Sequence, residues 1–301
     1  MEIKRWSLVT VVVGMVNVML LVEGCLEEER IAILQIKTSF YYPNATSSLH
    51  DSWRKYANCC NWKGVSCNAT TGRVVDINLS FERLAELGDG YLNATLFFPF
   101  QELISLSLHG NNILGCVENE GFERLSQLGS LKRLDLGDNK FNNSILTSLS
   151  ALSSLKSLNL ANNRLKGSIN IEELNRLRSL EELYLAHNEI EGFKSFHGGN
   201  ALLKLSNLKF LHLDGNHFNN NILPSLESLS SLNILNLSDN HLKGSFNIKG
   251  LDALINLETL SLDENEIDKF VISEDSRGFP NLRTLLMGRN HFDGTILAQG
   301  D

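Results

Sequence analysis

The chain is poor in the features that mark most alternatives to a folded binding protein. Its 301 residues include four prolines and three tryptophans, and aromatic residues make up 8%. So few prolines exclude a proline-rich fibre, and the 22 glycines are an ordinary share without a collagen period. Basic charge is scarce. With 27 Lys and Arg against 35 Asp and Glu the net charge is −8, which argues against a nucleic-acid partner. Beyond residue 24 no stretch approaches the ~18 apolar residues of a membrane-spanning helix. Catalytic signatures are missing too. The nearest approach to a phosphate loop is Gly88-Asp-Gly90, without a later glycine or lysine. Neither H-E-x-x-H nor G-x-S-x-G occurs, so neither an enzyme nor a cofactor is expected.

What is present begins with an address. Lys4 and Arg5 precede an apolar run over residues 8–22, broken only by Thr10, Gly14 and Asn17, and Val22 and Gly24 suit a cleavage site. Residues 1–24 therefore read as a secretory signal peptide, too short in its apolar part for a membrane anchor. In an oxidising compartment the clustered Cys25, Cys59, Cys60 and Cys67 suggest two disulfides. Three pairings exist. A bridge between the neighbours Cys59 and Cys60 would strain the backbone, whereas Cys25–Cys59 with Cys60–Cys67 closes one long loop and one short one. No histidine stands at ligand spacing for zinc, and Cys116 is expected to be a buried free thiol. Sequons at Asn44, Asn68, Asn78, Asn93, Asn142 and Asn236 fit a secreted glycoprotein.

The body is a repeat. The template L-x-x-L-x-L-x-x-N-x-(L/I/F) starts at Leu103, Leu131, Leu155, Leu180, Leu208, Leu232, Leu257 and Leu282. Its asparagines are Asn111, Asn139, Asn163, Asn188, Asn216, Asn240, Asn265 and Asn290; a degenerate copy from Val74 has Glu82 instead. Leu-x-Leu alternation makes a short strand with one buried face. The asparagine amide, both donor and acceptor, can satisfy turn groups trapped between coils. Ile145, Ile169, Ile222 and Ile296 supply a second apolar contact on the return side. No coil buries its leucines alone, so the coils stack. This is the leucine-rich repeat pattern.

Residues 139–193 align with 216–270 at a constant offset of 77, so a three-repeat unit has duplicated. All 15 template pairs agree between the copies, but only Asn159/Asn236 agrees among the 12 pairs directed out of the strand face. Other polar pairs stayed the same: Lys166/Lys243, Ser168/Ser245, Glu181/Glu258 and Glu189/Glu266. The diverged concave face reads as a contact surface. Its candidate ligand-binding residues are Arg133, Asp135, Glu182, Tyr184, His187, Phe210, His212 and Asp214. Strand register should set Tyr184 beside His212 and Glu182 beside Phe210, an aromatic group rimmed with charge. His212 and His217 flank Asp214, but the template puts His217 in the next turn, so no metal is expected. Asn78 and Asn236 share this face, where a glycan would obstruct a ligand.

Residues 25–71 are not a repeat. Ile31, Ile33, Leu34, Ile36 and Phe40 have helical spacing over residues 27–40, followed by Trp53, Cys59, Cys60, Trp62 and Cys67. The segment can cover the open edge of the first coil, its disulfides compensating for a small core. The run C-L-E-E-E-R-I-A-I-L-Q-I-K-T-S-F, then W-R, C-C-N-W-K-G-V-S-C-N and G-R-V-V-D-I-N-L, resembles the N-terminal cap of plant extracellular leucine-rich repeat proteins. Residues 115–126 and the F-N-N-S-I-L from Phe141 further resemble plant receptor-like proteins. The resemblance supports the pairing Cys25–Cys59 with Cys60–Cys67. It implies an α/β solenoid: a right-handed curved horseshoe with parallel concave strands and a disulfide-bonded helical cap. It also implies a non-enzymatic ectodomain on the outer face of the plasma membrane, or secreted to the apoplast, that senses a peptide, glycan or protein ligand with a co-receptor kinase. A secreted inhibitor of a cell-wall hydrolase, similar to polygalacturonase-inhibiting proteins, is the alternative. The expected segments are the signal peptide 1–24, the cap 25–71 and about nine repeats over 72–301, the last incomplete. Departures from the family are Gly167-Ser-Ile-Asn and Gly294-Thr-Ile-Leu where G-x-I-P is usual, and the lack of a C-terminal cap, membrane helix or kinase.

Overall fold

A computed structural model describes residues 25–40, 52–53, 58–83, 85–196, 201–273, 276, 278–292 and 296–299. The expected signal peptide and the Asn44 sequon lie outside the described residues.

Each Leu-x-Leu motif forms a strand of three residues whose middle leucine points inward, and these strands pair side by side behind two strands, of three and five residues, at the N-terminal edge. In chain order they are β1 (Val65–Cys67), β2 (Val74–Asn78), β3 (Ser105–Ser107), β4 (Arg133–Asp135), β5 (Ser157–Asn159), β6 (Glu182–Tyr184), β7 (Phe210–His212), β8 (Ile234–Asn236), β9 (Thr259–Ser261) and β10 (Thr284–Leu286). Among the described residues they make one ten-stranded sheet in sequence order, parallel from β2 to β10. Registers such as Leu183↔Leu211↔Leu235 align the inward leucines in rows. From Leu103 to Leu262 the three template leucines of every coil are at most 1% exposed. A buried leucine contributes about 1.5–3 kcal/mol, so stacking is the main stabilising term. In the last described coil Leu282, Leu285 and Met287 are only partly buried, because no further described coil packs beyond it.

The asparagines do what their position predicts. Asn216 Nδ2 donates to the carbonyls of Leu185, Leu213 and Asp214 at 2.9, 3.0 and 3.2 Å, and its Oδ1 accepts the Ile190 amide at 3.0 Å. Each of the other seven asparagines donates across to the preceding coil in the same way. In the first coil, where Glu82 stands instead, the Glu82 and Arg83 amides reach forward to Asn111 Oδ1. The residue before every ladder position has positive φ, from Phe81 and Gly110 through Asp138, Asn162, His187, Gly215, Asp239 and Glu264 to Arg289. That left-handed residue turns the chain and frees the carbonyls that the asparagine collects.

The return side is held by short helices and by paired segments such as Lys166–Asn170 with Glu189–Lys194. Ile145, Ile169 and Ile222 are buried there as expected. Phenylalanine pairs bridge coils as well: Phe193 with the template residue Phe218, and Phe246 with Phe270, their rings 5.6 and 5.9 Å apart.

The cap helix α1 (Glu27–Phe40) has the expected span, and of its five expected apolar residues Ile33, Ile36 and Phe40 are buried, Leu34 packs partly against the core and Ile31 faces out. Ile31 is 44% exposed, and the buried stripe is Glu29, Ala32, Ile33, Ile36 and Phe40. Glu29 is fully buried because its carboxylate accepts the Val74 amide at 3.3 Å and pairs with Arg73 Nε at 3.1 Å, tying the helix to the first coil. Disulfides join Cys25 to Cys59 and Cys60 to Cys67. Trp53 and Trp62 stack with centroids 5.5 Å apart, and Trp53 Nε1 donates to the Lys63 carbonyl. The cap also contributes β1, which pairs antiparallel with β2 and closes that edge of the sheet. Cys116 is free but half-buried rather than buried, and desolvation pushes its thiol up to about 12.

The ladder yields a stability prediction. Asn216→Ala leaves buried carbonyls and one buried amide unpaired, which should cost about 2–4 kcal/mol. The same change at the partly exposed Asn290 should cost about 1 kcal/mol. Urea unfolding followed by circular dichroism checks the order, and equal costs would contradict the ladder's role.

Candidate functional site

The concave sheet carries six of the eight sequence-predicted residues, and the turns after β6 and β7 carry His187 and Asp214; together they fall into two groups. Arg133 and Asp135 lie on β4, two strands from β6, opposite Ser157 and Asn159 of β5. Asp135 acts locally: Oδ1 accepts the Gly137 amide at 3.0 Å, and the His109 imidazole is 3.5 Å away. The other six come together around β6 and β7. The register sets Phe210 beside Glu182 and His212 beside Tyr184. The Tyr184 and His212 rings stack with centroids 5.0 Å apart at an interplanar angle of 23°. Burial, and then the neighbouring Glu182 carboxylate, raise the Tyr184 phenol above its ordinary value. Glu182 is itself held by the Ser157 hydroxyl at 2.7 Å.

The following turn adds a carboxylate between two imidazoles. Asp214 Oδ1 is 3.6 Å from His212 Nδ1, and Oδ2 is 3.7 Å from His187 Nε2. Oδ1 is buried without a hydrogen bond in the structure. His187 stands at the left-handed position of its coil, and its ring lies over Gly215, where a Cβ would come within 2.3 Å of Nδ1. Gly215 thus permits that close approach. His217 is apart from this group, as the template indicates, and stacks on His241 at 5.0 Å. Among the described residues no group of His, Cys, Asp or Glu could hold a metal ion.

Two features escaped sequence reasoning. Ile234 pairs with Phe210 and extends the apolar patch onto β8; the signal was an aliphatic residue at an outward template position. Phe81, 66% exposed, meets His109 edge-on at 4.9 Å in the first coils, where both residues occupy outward turn positions.

The sequons fall in different settings. Asn78 is exposed and Asn236 half-buried on the concave face, with Asn236 directly beside His212. Each takes the amide two residues on with its own Oδ1. Asn159 makes the same local turn bond to the Ala161 amide. That shared bond accounts for Asn159/Asn236 being the one outward pair the duplication kept. Glu181, another retained residue, bridges Lys156 at 2.7 Å and Lys209 at 2.8 Å across three coils. Lys166 and Lys243 are retained where their backbones exchange hydrogen bonds with Asn143 and Asn220.

The hydrogen bonds from Lys156 and Lys209 lower the Glu181 carboxyl from 4.5 to about 2. A depressed folded-state value means that the bridge stabilises the fold above about pH 4.5 and is lost as the pH falls toward 2. Carboxyl-carbon NMR titration should find the Glu181 midpoint far below those of unpaired glutamates. Replacing both lysines by methionine should return it to the ordinary range.

Comparison with known proteins fits this architecture. Residues 26–68 match the leucine rich repeat N-terminal domain, residues 153–196 match leucine rich repeats in two copies, and residues 130–152 and 207–229 each match a single leucine rich repeat. The chain is 35% identical over 247 residues to Cuscuta receptor 1 of Solanum lycopersicum, an alignment covering 78% of this chain and 22% of the relative. It thus spans about a fifth of that relative's length. The leucine-rich repeat ectodomain of the receptor kinase GASSHO1/SCHENGEN3 from Arabidopsis thaliana superposes with TM-score 0.59 at 24% identity, over 88% of this chain and 36% of that one. The plant peptide hormone receptor RGFR1, solved in complex with RGF2, superposes with TM-score 0.52 at 26% identity, over 77% of this chain and 37% of the other.

Proposed function

We propose, for a chain that is a leucine-rich repeat protein of the plant receptor-like kind, that the concave patch on β6, β7 and β8 binds an extracellular peptide. The observation that carries this reading is the cluster of Tyr184, Phe210, His212 and Ile234, which presents rings and an aliphatic side chain on a rigid sheet beside Asp214, His187 and Glu182. Stacked rings rimmed by charge suit short peptide segments, because they offer contact area at low entropic cost while the rim fixes orientation. A peptide-bound receptor among the similar structures supports the ligand class. Kinship with receptor-like proteins supports a place outside the cell or on the outer face of the plasma membrane, and a role in binding rather than catalysis. Signalling then falls to a partner kinase recruited with the ligand. Among the described residues no helix is long and apolar enough to cross a membrane.

The test uses the secreted, glycosylated chain. Peptides retained from apoplastic fluid are identified by mass spectrometry, resynthesised and titrated calorimetrically. Tyr184→Ala, Phe210→Ala and His212→Ala should each weaken binding about fivefold to thirtyfold. If all three variants bind with full affinity, the concave patch is not the ligand site.

A further inference from the structure

A second feature lies away from the concave patch, on the helix Ile171–Leu174 and the segments between it and β7. There Glu172, Asn175, Arg176, Arg178, Lys204 and Ser206 line an open cavity of about 470 Å³. That size falls within the roughly 300–1,000 Å³ of small-molecule sites.

The walls are tied across the two coils. Asn175 Nδ2 donates to the Leu202 carbonyl at 2.9 Å, and its Oδ1 accepts the Lys204 amide at 2.6 Å. Lower down, Asn207 Nδ2 donates to the Arg178 carbonyl at 3.0 Å. The cations are therefore mounted on a fixed frame.

Several cations elsewhere on the chain are held by carboxylates. Lys156 and Lys209 are paired with Glu181, Lys140 with Asp89, Arg73 with Glu29 and Arg289 with Glu264. Among the described residues no carboxylate lies within ion-pair distance of Arg176, Arg178 or Lys204, although the chain carries a net charge of −8. Glu172, the one acid in the lining, accepts the Ser195 hydroxyl at 2.9 Å. The internal duplication supplies a control: Arg176 and Arg178 correspond to Ala253 and Ile255, so the repeat itself does not require the two arginines. Three unmatched cations in an acidic protein define a locally positive basin that attracts anions.

We propose that this cavity binds an acidic oligosaccharide, its uronate carboxylates held by Arg176, Arg178 and Lys204 and its hydroxyls by Glu172 and Ser206. The guanidinium fork pairs with a carboxylate through two parallel hydrogen bonds. The spread of the cations over two coils suits a chain of carboxylates better than a single tetrahedral oxyanion. Among the described residues the lining has no aliphatic or aromatic side chain to hold a peptide, and its carboxylate and hydroxyl suit sugar hydroxyls. This reading is independent of the peptide site.

Calorimetric titration of the full secreted chain with short de-esterified oligogalacturonides tests it at low ionic strength. Binding should appear, fall steeply as salt is added, and weaken at least tenfold in the double variant Arg176→Ala, Arg178→Ala. Lys269→Ala, which removes one positive charge at an exposed position outside the cavity, should leave it unchanged. All variants should melt at the wild-type temperature, since the replaced side chains are exposed. Equal binding of fully methyl-esterified oligomers would overturn the proposal, as would inorganic phosphate competing at the same concentration as the oligouronide. Undiminished binding by the folded double variant would overturn it as well.

Discussion

The structure depends on how a polypeptide can turn sharply inside an apolar stack without stranding its own polar groups. Each coil must reverse direction beside its leucines, so carbonyls and amides end up between neighbours where water cannot reach them. One asparagine in each coil after the first resolves this by donating to three carbonyls, one of them in the preceding coil, and accepting one or two amides from that coil. The bond set is intramolecular but spans coils, so each turn is complete only when its neighbour is in place. That interdependence makes the array cooperative, and it fixes the strand spacing that brings Tyr184 into stacking distance of His212.

Much of this was legible in the sequence, because the repeat period is a direct image of the coil. Leucine positions, ladder asparagines, concave register and the span of α1 all follow from spacing alone. What spacing could not give is partner identity across the fold. Within α1 spacing missed a buried carboxylate: Glu29 turns inward to meet Arg73 and the Val74 amide, while Ile31 is left outside. Polarity alone would place Glu29 and Ile31 the other way round. The antiparallel β1 was hidden for a similar reason, since Val65–Cys67 is too short for its alternation to stand out.

The candidate site was legible in part. Comparing the duplicated copies pointed to the concave face without any homologue, and the register between β6 and β7 could be counted. The comparison also mixed two kinds of constancy. Asn236 stayed the same because its side chain completes its own turn, as Asn159 does, whereas Glu181 is held by two lysines and its counterpart Glu258 faces Arg283. Retention at those positions reports local geometry. Divergence at Tyr184, Phe210 and His212 has no such structural demand behind it, which leaves those positions open to selection for contact. Asp135 shows the converse: an outward position by template, yet committed to the Gly137 amide.

The left-handed residue ahead of each asparagine has a consequence for how such a surface changes over time. Glycine, asparagine and aspartate accept that backbone readily, whereas other residues carry a conformational penalty of about 1–2 kcal/mol. Phe81, His187, Glu264 and Arg289 all bear it. Because the penalty comes from the backbone, it is nearly the same whichever large side chain is present. Once a coil has left the permissive set, exchange among ring, acid and base is close to neutral for folding. The rim of the arc can then be rewritten one coil at a time while the leucine stack beneath it stays the same.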